Sequence, residues 1–263
     1  MVDKNLVEVR LNANELNMVA FKYMDYPKFL SLVANENIYF ARPTEFEDKL
    51  DSFIPRNVYI KKLSNDTKEI VRYKREIDSV AYNRQRALVS CWHIGDYESD
   101  LMWKTYAKHD GIMIQTTVMK LINLDYSPFL DNNARCIIDK IKYIDAQKEF
   151  IKKNNLTLQQ INELDIDITE QFFLKNKSFE DEKELRIVIF EKPNYDLKHY
   201  NNGKTVKIGM PLHYFIDKII LSPYAPDYYI ETLKQTLNKM NECKLAAKIE
   251  LSIAKQTEKI LLQ

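Results

Sequence analysis

Short β-type runs that outnumber long helices, and do not alternate regularly with them, predict an α+β fold with a mixed, mostly antiparallel central sheet and flanking helices. The runs recur along the whole chain, and two helical segments, a charged one at about 55–86 and one at about 146–174 that is interrupted near Leu156–Leu158, lie between them without pairing one helix to each strand. At 263 residues the chain is long for one domain and short for two, since domains typically hold about 100 to 200 residues. An apolar share of 45% against 29% charged residues is enough for a sizeable core. The expectation is a single domain over 1–263 that carries those two helical segments as elaborations.

The elements follow in order. Leu6–Leu11 alternates apolar and polar residues like a strand, and Glu15–Tyr23 is a second apolar stretch of either type. Tyr26–Ala34 has helical spacing with Pro27 in its first turn, and Ile38–Ala41 reads as a strand that stops before Pro43. Thr44–Ser52 is polar and turn-like. Ala87–Trp92 is an apolar strand, Asp100–Lys108 a helix with Asp100 at its positive end, and Gly111–Thr117 a strand after a glycine turn. Ile137–Ile144, Leu185–Phe190, Thr205–Ile208 and Lys218–Leu221 are strands. Pro226 opens a helix to about Met240, and Ala247–Ile253 alternates as a last strand.

Composition narrows the chemistry. Lysine plus arginine (39) nearly cancels aspartate plus glutamate (38), so no global field draws the chain to nucleic acid or an anionic membrane. A local basic stripe is available at Lys61, Lys62, Lys68, Arg72, Lys74, Arg75, Arg84 and Arg86. The charged start MVDKNLVEVR and the lack of a long apolar run predict a cytoplasmic protein without a membrane partner. Cys91, Cys136 and Cys243 lack paired spacing, so they read as reduced and mostly buried thiols. His93, His109, His199 and His213 form no ligand motif, and no metal is expected. Four glycines, Gly95, Gly111, Gly203 and Gly209, cannot build a phosphate-cradling loop; a bound nucleotide must be held by side chains.

Two segments carry the candidate site. In Phe179–Phe190, FEDEKELRIVIF, a period of two puts Glu184, Arg186 and Val188 on one face of a strand and Leu185, Ile187 and Ile189 on the other. Extended backwards, the strand adds Glu182 to the first face. This is either a solvent-facing edge with a surface ion pair or a carboxylate aimed into a cleft and positioned by arginine. In Ser90–Gly111, Ser90 and Trp92 share a strand face, as plain core or as a ring-stacking wall with a hydroxyl at its rim. Leu101, Met102, Trp103 and Tyr106 form a helix packing stripe, or Trp103 and Tyr106 serve as a ring platform.

Phe21-Lys22-Tyr23, IYFARPTEFED at Ile38–Asp48, Ser90, LMWKTYA at Leu101–Ala107, GIMI at Gly111–Ile114, FEDEKELR at Phe179–Arg186 and DKIILSP at Asp217–Pro223 resemble, in that order, the landmarks of the bacterial family catalogued as domain of unknown function 2971. Glu47-Asp48-Lys49 stands where that family usually has an asparagine-aspartate-proline turn. The family assigns no activity. A distant, fold-level similarity to ADP-ribosyltransferases implies one: a cation or polar residue on an early strand holds the dinucleotide, a middle serine positions the nicotinamide ribose, and a late glutamate binds the ribose hydroxyl. By position these are Lys22 or Tyr23, Ser90 and Glu184, with Glu182 as companion carboxylate and Trp92, Trp103, Tyr106 and Arg186 as further cofactor-binding candidates. The resemblance thus implies an ADP-ribosyltransferase or NAD glycohydrolase with NAD as co-substrate and a protein, a nucleic acid or water as acceptor; a role in bacterial phage defence or toxicity would fit such an NAD consumer. A nucleic-acid-binding protein and a non-catalytic interaction module are the alternatives.

Overall fold

The computed structural model describes residues 7–48, 51–52, 78–130, 134–145, 169–193 and 201–261. Of the predicted helical segments, 55–77 and 146–168 fall outside these residues, while 78–86 is helical. The segment predicted to stay helical up to Leu174 ends instead in a 3-10 turn, Glu170–Phe173, and a strand.

The strands are β1 (Val7–Val9), β2 (Val19–Met24), β3 (Asn37–Phe40), β4 (Ala87–Ile94), β5 (Ile112–Thr117), β6 (Arg135–Lys140), β7 (Lys142–Ile144), β8 (Leu174–Asn176), β9 (Glu184–Phe190), β10 (Lys204–Lys207), β11 (Lys218–Leu221) and β12 (Ile249–Leu251). Eight of them form one sheet in the order β1-β6-β9-β4-β2-β5-β11-β12. Its two outermost pairs, β1 with β6 and β11 with β12, are parallel, and every inner pair is antiparallel. The fold is therefore α+β with a mixed, mostly antiparallel sheet. β3 with β10 and β7 with β8 make two small ribbons. The run predicted as one strand over Ile137–Ile144 is divided between β6 in the main sheet and β7 in a ribbon.

β9 lies between β6 and β4, and all seven of its residues are buried. The solvent-facing edge considered for Glu184 and Arg186 is thus replaced by a central strand. One sheet face carries the main apolar core, where Leu185, Ile187, Ile189 and Trp92 meet Phe29 and Leu32 of the helix Tyr26–Asn35 and Leu233 and Leu237 of the helix Tyr228–Lys239. The first of these helices starts where Asp25 accepts the Lys28 N–H at 2.8 Å, with Pro27 in the first turn, and stops at left-handed Glu36. The opposite face holds two smaller apolar clusters, one around Phe21, Tyr23, Trp103 and Met113 and one around Val89, Phe172, Val188 and Phe190. Polar side chains fill the ground between those two clusters.

The ladder between β2 and β4 is short. They pair only at Ala20 with Ile94 and Phe21 with His93. From Lys22 onward the strands part, and the same edge of β4 is taken up again where Val89 exchanges backbone hydrogen bonds with Ala41. The Lys22 ammonium fills the interval, donating to the Cys91 carbonyl at 3.0 Å. A side chain there supplies the donor that the parted ladder lacks. Among the described residues no helix is long and apolar enough to cross a membrane. The cysteines divide between buried Cys136, half-buried Cys91 and exposed Cys243, so the last departs from the buried expectation.

Candidate functional site

Strand register sorts the predicted site residues onto two faces. Directly opposed residues share a face, and β4 pairs with β9 as Ser90 with Ile187, Cys91 with Arg186, Trp92 with Leu185 and His93 with Glu184. Ser90 and Trp92 therefore point into the main core, while Glu184 and Arg186 point the other way. The resemblance assigns Ser90 and Glu184 to one dinucleotide, and this register separates them: both period-two readings hold, but their phases are opposite.

Ser90, Trp92 and Lys22 form a group of their own. The Trp92 Nε1–H donates to Ser90 Oγ at 3.1 Å, and the Lys22 ammonium donates to the same oxygen at 3.3 Å while lying 5.0 Å from the Trp92 ring centre. Ser90 and Trp92 are both 1% exposed, so they form core and offer no open stacking wall. Burial pulls the Lys22 pKa below the ordinary lysine value.

The other face carries a charged island. Arg186, fully buried, sends one fork to each of two carboxylates: Nε and Nη2 reach Glu184 at 2.9 and 3.0 Å, and Nη1 and Nη2 reach Asp51 at 2.8 and 2.7 Å. Lys175 on β8 donates to Glu182 and, at 3.3 Å, to Glu184. Burial opposes ionisation of Glu184 and Asp51, but the guanidinium and ammonium beside them outweigh it and hold both carboxyls below their ordinary range. Lys175 loses to burial and gains more from Glu184 and Glu182, so its pKa rises. The Cys91 thiol, facing Glu184 under burial, is pushed far up and stays protonated.

Glu182 joins the island by a route other than strand extension. It ends a 3-10 turn, Lys177–Glu182, and Lys183 follows in the left-handed region at φ 41°. That turn lets both carboxylates converge on Lys175. Asp51 and Ser52, in a stretch that reads as a polar turn, are both buried on the island, and Ser52 Oγ accepts from Arg186 at 3.3 Å.

Aromatic residues border the island. The helix predicted over Asp100–Lys108 makes one α turn, Asp100–Met102, started by a Ser99 cap, and widens into a π turn, Trp103–Ala107. Gly111 follows under steric constraint, since a Cβ there would fall 2.1 Å from the Ala107 carbonyl. The π turn points Trp103 inward, where it is 1% exposed, meets the Tyr23 ring edge-on at 5.0 Å and donates to Glu98 at 2.8 Å. Tyr23 is also buried, its hydroxyl accepting the Ser99 N–H. Tyr106 remains 45% exposed, with its hydroxyl donating to Glu182 at 3.0 Å. Of the predicted rings, Tyr106 is the exposed one, and Trp92, Trp103 and Tyr23 are buried packing.

His93 escaped the sequence reading. Once β4 is extended by two residues, its alternation puts His93 on the face of Cys91, beside Glu184. Its Nδ1 lies 2.7 Å from the Glu182 carbonyl, which fixes the proton on that nitrogen. Burial, with Lys183 nearby, keeps the ring's pKa below the usual histidine value, against the pull of the Glu182 carbonyl. Among the described residues no cluster of His, Cys, Asp and Glu has the arrangement of a metal site. Of the basic stripe, Arg84 and Arg86 are described: Arg84 donates to the Pro43 carbonyl, and Arg86 lies over the Phe190 ring. The stripe's other six residues lie outside the described set.

Residues 102–187 match the model of the family described as Protein of unknown function (DUF2971). This bears out the resemblance carried by the LMWKTYA and FEDEKELR blocks, and the matched segment contributes Trp103, Tyr106, Lys175, Glu182, Glu184 and Arg186 to the island and its border. No curated protein matches the chain.

Proposed function

We propose that the chain is an NAD-consuming transferase or glycohydrolase whose working carboxylates are Glu182 and Glu184. The observation that carries this reading is the convergence of both carboxylates on Lys175 next to the exposed ring of Tyr106. Breaking the bond between nicotinamide and ribose builds positive charge on the sugar, and a carboxylate already ionised and fixed in place stabilises that charge without reorganising. At an effective dielectric of about 20, unit charges about 4 Å apart interact by roughly 4 kcal/mol, which is about a thousandfold in rate if confined to the transition state. Tyr106 supplies a flat surface for a ring. Ser90 and Trp92 have no part in this chemistry, and Lys22 supports the parted strands. The acceptor is a protein, a nucleic acid or water.

Incubating the purified protein with labelled NAD, and following nicotinamide release together with label transfer, tests the reading. Glu184→Gln and Glu182→Gln are expected to abolish release while thermal melting still shows a folded protein. A folded wild type that releases no nicotinamide ends the proposal.

A second reading rests on one specific observation: Arg186 occupies both oxygens of Glu184 while also holding Asp51. Under it the island is a fold lock in a non-catalytic interaction module. Glu184→Gln then lowers stability, and no turnover exists for it to change.

A further inference from the structure

The helix Ile253–Leu261 lies on the fold with its apolar stripe turned outward. At about 100° per residue, Ile253, Thr257, Ile260 and Leu261 share one stripe with Ala254 at its margin, while Lys255 and Gln256 fall outside it. What ties the helix down is backbone and polar. Ser252 Oγ accepts the Lys255 N–H at 3.0 Å, Glu98 accepts the Ile253 N–H, the Gln256 amide donates to the Leu251 carbonyl at 2.7 Å, and the Lys255 ammonium lies 3.6 Å from Asp227. The Lys255 side chain is 20% exposed, whereas Ile260 is 75% exposed, and Ile253 and Leu261 are exposed as well. A surface helix ordinarily does the reverse, burying its apolar stripe and leaving lysine in water. A helix of nine residues is also marginal in water by itself and draws its stability from packing of its apolar face. The stripe therefore calls for a cover.

We infer that the cover is a second copy of this chain, the two helices packing stripe to stripe and antiparallel across a twofold axis near Thr257. In that arrangement the stripe is self-complementary, since the two ends exchange and Thr257, midway along, meets itself. The size of the exposed face agrees. Tyr97, next to the anchor Glu98, and Tyr228, next to the anchor Asp227, are both exposed and extend the apolar face beyond the helix. An aromatic side chain contributes about 150 to 250 Å² when covered, so these two with three aliphatic residues approach the roughly 800 Å² per partner of a stable interface. A formal net charge of +1 lets two copies meet without mutual repulsion. An anionic membrane is the poorer cover, because IAKQTEKIL sets two lysines against one glutamate and Lys255 is already paired with Asp227. The inference goes beyond the transferase reading and does not depend on it.

The test is sedimentation velocity of the full chain over a concentration series. A dimer is expected, and Ile260→Glu is expected to weaken it by more than about tenfold, because association would then bury unpaired carboxylates. Ile260 is exposed in the single chain, so thermal melting at low concentration reports whether the variant still folds. Thr257→Cys in a Cys243→Ser background gives a second readout that leaves the aliphatic residues in place. Mild oxidation is expected to join two copies through the twofold, and adding Ile260→Glu to suppress the cross-link. A chain that stays monomeric at every concentration up to about 0.1 mM overturns the inference. Binding of that monomer to vesicles of phosphatidylglycerol and phosphatidylcholine would give the stripe to a membrane surface instead. A dimer that Ile260→Glu leaves as tight as the wild type, or that Thr257→Cys fails to cross-link, overturns it too, because the copies then meet elsewhere.

Discussion

On one face of the central sheet Lys22, Ser90 and Trp92 satisfy one another inside an apolar core; on the other, Asp51, Lys175, Glu182, Glu184 and Arg186 form a charged island between two apolar clusters. The same strands, β4 and β9, furnish both. The difference lies in how each face answers for its buried polar atoms. On the core face a neutral hydroxyl serves two donors, and removing it disturbs its neighbours locally. On the island face each charge is offset by others from distant segments, 51–52, β8 and β9, so removing one leaves an uncompensated charge and loosens contacts over the whole face.

The largest test of this contrast is Arg186→Leu. It strands Asp51 and Glu184 as buried carboxylates with Lys175 as the cation that still pairs with them among the described residues, and is expected to cost about 3 to 5 kcal/mol in urea unfolding. A loss no greater than that of a core-face polar substitution would erase the distinction between the faces.

The island also sets the response to acid. Asp51 and Glu184 have folded pKa values below their unfolded ones, so the stability they contribute is present above about pH 4 and is lost as pH falls through the folded values. His93 acts in the same direction from a higher starting point. Its folded pKa is depressed, so its contribution is complete above about pH 6.5 and declines as protonation begins to favour the unfolded chain. The groups facing it are Glu184 on β9, Glu182 and Lys183 in the preceding turn, Cys91 on its own strand and Tyr23 on β2. Stability measured from pH 8 to pH 3 should fall in two stages, and His93→Asn should flatten the upper one. A flat profile down to pH 4 in the wild type would show that the imidazole contributes nothing.

Smaller still is Ser90→Ala on the core face. The Trp92 N–H loses its acceptor, while Lys22 keeps the Cys91 carbonyl, so the expected cost is about 1 to 3 kcal/mol in the same urea assay. Nicotinamide release should be unchanged. A folded Ser90→Ala protein that lost turnover would return Ser90 to the site and break the separation of the two faces.

How much of this was legible in the sequence depended on the range of the signal. Alternation in ALVSCW and ELRIVIF gave correct faces strand by strand, because side-chain direction in a strand is local. It could not give the relative phase of β4 and β9, which is set by pairing across about ninety residues, and that phase separates Ser90 from Glu184. Asp51 looked like a turn residue because nothing near it in sequence marks it as buried; its partner is Arg186, far along the chain. His93 lies just past the apolar run Ala87–Trp92 that marks the strand in the sequence. One more step of the same alternation placed it beside Glu184. The π turn left no trace in the spacing of LMWKTYA, which fits an ordinary helix equally well.

The smallest effect belongs to Tyr106→Phe, where the two faces no longer differ much in kind. The ring is 45% exposed and its hydroxyl makes one bond, to Glu182, while Lys175 holds that carboxylate from the other side. Loss of the bond is expected to cost about 0.5 to 1.5 kcal/mol, near the lower end because water reaches the exposed side. Burial and the adjacent Glu182 raise the tyrosine's pKa, so the hydroxyl remains a donor throughout the neutral range and the cost should not vary between pH 6 and pH 9. The ring itself is kept, so a platform role predicts that Tyr106→Phe retains nicotinamide release and Tyr106→Ala loses it. Equal release by both variants would remove Tyr106 from the site and leave it an ornament of the island's border.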